Sequence, residues 1–182
     1  VRLKPAARAL VAALVTVLAL TWTAGQASAA PSAAAVVVTY DTSRAAEFVD
    51  AVHSGAAVWN ESVANVRLEP AAPGEDANVE IIADDGWPRA LTTSLGNGTV
   101  WMGRQAVDQG YDTTRIAAHE LGHILGLPDM KPGPCSSLMS GSTGGVSCTN
   151  PYPDAAERAE VEDNFAAALA GAAAHGPRFH RN

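Results

Sequence analysis

The chain has 182 residues, 47% of them hydrophobic and 17% charged, with a formal net charge of −7. An acidic balance of this size argues against nucleic acid or an anionic lipid surface as the main partner, since either would be repelled. The length suits one domain with a single core once an export segment is set aside.

Residues 1–29 read as a secretory signal. Arg2, Lys4 and Arg8 form a basic head, Leu10 to Leu20 is almost wholly apolar, and Ala27-Ser28-Ala29 offers the small residues that a signal peptidase reads. The rival reading, a membrane anchor, needs roughly 20 apolar residues, and about 11 to 15 are present. Cleavage after Ala29 leaves residues 30–182, with nine basic and 19 acidic side chains. The expected product is secreted, extracellular, free of the membrane and monomeric. Its surface acids are possible calcium ligands. Cys135 and Cys148 both lie in this exported part. An oxidising compartment and an even count favour a disulfide over two buried thiols. Closing so short a loop is worth roughly 3 kcal/mol on the chain-entropy estimate.

Residues 30–35 are a short lead-in or residual pro-segment. Val36 to Tyr40 is β-branched and aromatic and predicts a strand. Asp41 or Ser43 can cap a helix running to about Trp59, with Ala45, Phe48, Val49, Val52, Ala56 and Trp59 on one face. Val63 to Leu68 and Val79 to Ala83 are further strands, parted by the turn-rich stretch Pro70 to Asp76. Leu91 to Val107 is ambiguous. Gly96-Asn97-Gly98 suggests a tight turn, and Thr99 to Met102 a strand after it. Thr113 to Leu125 predicts a helix capped by Asp112 and ended by Gly126 and Pro128. Residues 130–154 are rich in Gly, Pro and Ser. A last helix runs from about Asp154 to Ala170, with Ala156, Val161, Phe165 and Leu169 facing inward. The expected domain spans 36–172, with a flexible tail over 173–182. This order implies an α+β fold in which a mixed sheet carries packed helices.

The chemistry concentrates on the predicted helix 113–125. His119 and His123 are four residues apart, which puts both imidazoles on one face where they can reach one ion. Glu120, beside the first histidine, points to the side and can reach a metal-held water without binding the metal. Alone, this H-E-x-x-H pattern arises by chance in unrelated chains. Gly126 turns the chain off the helix, and Asp129 three residues later can return a carboxylate to the metal. Met139 lies in the irregular stretch Ser137-Leu138-Met139-Ser140, where ordinary core filling is the plain alternative.

The run from His119 to Asp129, together with Met139, resembles the metzincin pattern, with Asp where the third ligand is more often His. With the secretory signal, the small size and the stretches Cys135 to Ser140 and Cys148 to Pro153, it looks most like the snapalysin family of small neutral metalloproteases. That resemblance implies a metzincin-like zincin: a twisted mixed sheet with an active-site helix and a C-terminal helix. It implies Zn2+ on His119, His123 and Asp129, Glu120 as general base, Met139 in a turn beneath the metal, and a Cys135–Cys148 bridge. Asp112 and Thr114 fall where the family is thought to hold Ca2+, against the plain reading of Asp112 as a helix cap. It further implies a protein or peptide substrate with Tyr or Phe just after the scissile bond. Such a substrate would add as a strand along Val100 to Arg104.

Two departures stand out. Relatives tend to carry Tyr two residues after the Asp ligand. Here Lys131 stands there, either supplying a positive charge or facing solvent, and Tyr152 is another phenolic candidate. A long pro-segment, usual in the family, has no counterpart between the signal and the first strand. Two rival functions remain: a secreted zinc-holding module without turnover, and a zinc hydrolase of a non-peptide amide.

Overall fold

A computed structural model describes residues 35–169 and 178–181 of the chain. The expected signal and most of the lead-in lie outside these residues. The described part has the expected α+β architecture. One sheet in the order β2-β1-β3-β5-β4-β6 is built from Val36–Arg44 (β1), Val66–Pro70 (β2), Val79–Asp84 (β3), Arg89–Ser94 (β4), Asn97–Gly103 (β5) and Arg178–Arg181 (β6). Strands β2, β1, β3 and β5 run parallel, β4 is antiparallel to β5, and β6 is antiparallel to β4. The helices are α1 (Val49–Ser62), the short α2 (Arg104–Asp108), α3 (Thr113–Ile124) and α4 (Ala155–Leu169). None of the described helices is long and apolar enough to cross a membrane.

Several sequence expectations shift. Asp41 and Ser43 do not cap a helix. Both lie in β1, where the Asp41 carboxylate accepts from the Ser43 amide and hydroxyl, and α1 follows a 3₁₀ turn at Ala46–Phe48. The second strand begins at Val66 rather than Val63, because Val63 still closes α1 by donating to the Trp59 carbonyl. The ambiguous region resolves into a hairpin. Its turn is Leu95-Gly96, one step earlier than expected, with Gly96 at φ 75°. Strand β4 was not foreseen. It is short, and its alternation of buried Ala90 and Thr92 with partly exposed neighbours covers few residues. On α4 the buried face is Glu157, Val161 and Phe165; Ala156 is exposed.

What positions the site is the contact of α1 with α3. Trp59 is fully buried, and its indole N–H donates to the Ala118 carbonyl in the middle of α3 at 2.8 Å. The helices approach so closely at Gly55 that a Cβ there would stand 2.8 Å from the Ala118 nitrogen. Backbone, not a movable side chain, would receive it. Gly122 of α3 is constrained likewise: its missing Cβ would lie 2.8 Å from Met139 Sδ and 3.1 Å from Trp59 Cζ2. Small residues at both points let α3 sink between α1 and the Met139 stretch.

Gly55→Ala is therefore predicted to destabilise the protein by about 1–3 kcal/mol, the usual cost of forcing a methyl into a filled core. Urea unfolding checks this, and an unchanged midpoint would contradict so close an approach.

Candidate metal centre

Helix α3 begins at a cap. Asp112 has extended backbone, and its carboxylate accepts the Arg115 amide at 2.8 Å. That bond supports the cap reading of Asp112 over the calcium one, and calcium has no further support. The helix ends in a Schellman turn: the Gly126 amide donates to the His123 carbonyl, and the Leu127 amide to that of Gly122. Gly126 sits at φ 98°, which a side chain would resist. The reversal brings the Leu127 carbonyl to His123 Nδ1, 2.8 Å away, and carries Asp129 back over the helix.

His119 and His123 are buried on the same face of α3. The Nε2 atoms are 3.1 Å apart, and Asp129 Oδ1 lies 3.3 Å from one and 3.5 Å from the other. Each Nδ1 faces a backbone carbonyl, Leu138 O at 3.0 Å for His119 and Leu127 O at 2.8 Å for His123. A carbonyl only accepts, so each Nδ1 carries the proton. Burial pushes the His123 pKa down to about 4. Its neutral ring then presents an Nε2 lone pair to the second imidazole and the carboxylate. Asp129 Oδ1 is itself buried without a hydrogen bond of good geometry. Burial raises its carboxyl pKa, and in the metal-free site a proton on a facing imidazole Nε2 more than reverses that, holding it ionised.

Three electron-rich atoms thus converge. A proton on one Nε2 serves one contact, whereas a divalent cation serves all three. The dimensions fit zinc: ligands about 2.0–2.1 Å from a tetrahedral ion stand about 3.3–3.4 Å from each other, and the observed edges are 3.1, 3.3 and 3.5 Å. Among the described residues this is the group of His, Cys, Asp and Glu side chains able to hold a metal.

Glu120 follows His119 directly and is fully buried. Lys131 does not face open solvent; its ammonium is 3.2 Å from Asp129 Oδ1. Tyr152 is engaged elsewhere, its hydroxyl donating to Glu61 of α1. Met139 is fully buried against Gly122, directly beneath α3. Cys135 and Cys148 are bridged, with Cα atoms 5.5 Å apart. Beside His119 a cavity opens, lined by Trp87, Pro88, Tyr111, Ile116 and Ser142, with Trp87 and Tyr111 edge to face at 5.8 Å.

Sequence reasoning missed two charged residues of the surrounding framework, Arg115 and Glu157, each 5% exposed. Arg115 donates to the carbonyls of Ser137 and Asn150 and to Ser140 Oγ. Glu157 was legible in part. Asp154-Ala155-Ala156-Glu157 is a capping box, in which the Asp154 carboxylate accepts the Glu157 amide and the Glu157 carboxylate accepts that of Asp154.

The depressed His123 pKa carries a stability consequence. Between pH 6.5 and about 4 the unfolded chain binds a proton that the folded one refuses. The contribution is therefore complete above pH 6.5 and lost as pH falls toward 4, and Asp129 acts in the same sense at lower pH. The metal-free protein, melted in chelator, is predicted to show a falling Tm across this window. A flat Tm would contradict a buried neutral His123.

Residues 35–168 match the Streptomyces extracellular neutral proteinase (M7) family. The chain is 46% identical over 151 residues to the extracellular small neutral protease of Streptomyces coelicolor, covering 81% of this chain and 67% of that protein. It is 47% identical over 126 residues to that of Streptomyces caespitosus, covering 69% of this chain and 94% of the relative. The same-named protein of Streptomyces lividans is 44% identical over 135 residues, and the chain spans 59% of its length. The matched stretch holds α3, the Asp129 turn, the disulfide loop and nearly all of α4, and through it this chain belongs to the extracellular neutral proteinase (M7) family.

Proposed function

We propose that this chain is a secreted zinc endopeptidase. The observation that carries the reading is the donor triangle of His119, His123 and Asp129, sized for one face of a tetrahedral zinc, with the Glu120 carboxylate next to it in sequence. The relatives' names, extracellular small neutral proteases, support both the export and the activity. Zinc, when bound, supplies an acidified water and a positive charge for the developing oxyanion. The chain's own residues do the rest. His119 and His123 would hold the ion through Nε2, with their Nδ1 protons fixed on backbone carbonyls. Asp129 would neutralise part of its charge. Glu120 would serve as general base toward the attacking water and as general acid toward the leaving amine. A zinc-holding module without turnover would have no use for a buried carboxylate beside the ligands.

The aromatic wall of Trp87 and Tyr111 beside His119 supports a preference for Tyr or Phe just after the scissile bond, since flat faces and edges pair well with a flat ring. The expected strand addition along Val100 to Arg104 is corrected. Strand β5 has β3 on one side and β4 on the other, and Arg104 already lies in α2, so this segment offers no open edge. Strand β4, whose Thr92 hydroxyl donates to the His123 carbonyl, lies one place in from the edge strand β6. Its residues Arg89 to Thr92 pair with β6, so a substrate adding there would take the place of Arg178–Arg181.

Glu120→Ala is predicted to keep one zinc and to cut casein ~100- to 10,000-fold more slowly, the range for loss of a general base. Zinc content and casein digestion, with and without chelator, are the measurements. Near wild-type cleavage by the variant would overturn the assigned role of Glu120. Zinc retention by a wild type that cleaves nothing would favour the binding module.

A further inference from the structure

Glu157 is a buried carboxylate on α4, outside the donor triangle. It accepts four hydrogen bonds: from the Ser137 hydroxyl at 2.6 Å, the Met139 amide at 2.8 Å, the Leu138 amide at 3.1 Å and the Asp154 amide at 2.6 Å. Removing a carboxylate from water costs several kcal/mol. Capping α4 does not require that cost, since the more exposed Asp154 already caps its first turn. The placement has another consequence. The peptide group joining Leu138 to Met139 donates its N–H to Glu157, and its C=O accepts from His119 Nδ1 at 3.0 Å.

We propose that Glu157 is a positioning residue for the metal centre, acting on His119 through the Leu138–Met139 peptide. The inference rests on the zinc reading above. A carboxylate at the N–H end polarises the peptide and strengthens its carbonyl as an acceptor. That carbonyl fixes the His119 proton on Nδ1 and makes Nε2 the better electron donor, as a carboxylate does when it bonds a zinc-binding histidine directly. The two histidines differ in this respect. The carbonyl facing His123 belongs to the Leu127–Pro128 peptide, which has no N–H through which a second carboxylate could act. Arg115 frames the same segment from the other side, donating to the Ser137 carbonyl at 2.8 Å.

The test compares two carboxylates of α4 in the full exported chain. Glu162 accepts the amides of Ala64 and Asn65, far from the Leu138 peptide in sequence, and serves as the structural control. Zinc affinity is measured by competition with a chromophoric chelator, and the His119 Nδ1 proton is followed by NMR in the zinc-loaded protein. Glu157→Gln is expected to bind zinc 10- to 100-fold more weakly and to move the Nδ1 resonance. Glu162→Gln is expected to lower Tm and leave both readouts unmoved. Wild-type zinc affinity in a folded Glu157→Gln, or a fall of equal size in Glu162→Gln, would overturn the proposal. Should Glu157→Gln not fold, Glu157→Asp withdraws the charge by one methylene and is read in the same way, with wild-type affinity again the overturning result. If the wild type bound no zinc, the metal reading would fall and this inference with it. If it bound zinc and only the Glu157 variants behaved as wild type, the inference alone would fall.

Discussion

The stretch Ser137–Ser140 runs through the interior without a strand or regular α-helix to satisfy its backbone. Its residues are 8% exposed or less, and from Leu138 the chain enters a 3₁₀ helix kinked at Gly141. Buried amides and carbonyls must find partners somewhere, and here two buried charges of opposite sign supply them. Glu157 takes the N–H groups of Leu138 and Met139, and Arg115 takes the Ser137 carbonyl and the Ser140 hydroxyl. The disulfide closes the same loop from outside. Burial pulls the Arg115 pKa down, and Glu157 and Asp112 oppose that. The guanidinium stays charged in any case. With the loop held, the Leu138 carbonyl becomes a fixed acceptor for His119, and Met139 becomes a fixed surface for Gly122.

The candidate metal centre thus has a rigid side and a turned side. The rigid side is α3, wedged against α1 where Gly55 and Trp59 meet Ala117 and Ala118. The turned side is the Schellman reversal at Gly126, which supplies both the carbonyl for His123 and the carboxylate of Asp129. Two candidate ligands on a helix and one on the turn after it need only local chain geometry to meet. Orientation of the two rings, by contrast, draws on residues up to 19 positions away in the case of His119.

That division explains what the sequence could reveal. The His119–His123 spacing, the helix stop at Gly126 and the return at Asp129 are local patterns, and the structure brings those three side chains together. The amphipathic face of α1 was legible for the same reason, because it repeats over four turns. Strand β4 was not. Its few alternating residues gain their meaning from the hairpin with β5 and from α3 beneath. The interior position of β5 was hidden because strand order is a long-range property. Arg115 and Glu157 drew no expectation from the sequence. Their burial depends on a loop that joins them only in three dimensions, although the Asp154-to-Glu157 capping box marked one of them. Lys131 looked free to face solvent, and the chain turn at Asp129 instead places its ammonium beside the carboxylate.

The central claim is that His119, His123 and Asp129 form one metal site. The most direct measurement is zinc content after exhaustive dialysis, by native mass spectrometry, for wild type and Asp129→Ala. One zinc per chain is expected in the wild type and its loss from the variant, with the fold retained by circular dichroism. One zinc held by Asp129→Ala as tightly as by the wild type would contradict the central claim and require a different third ligand.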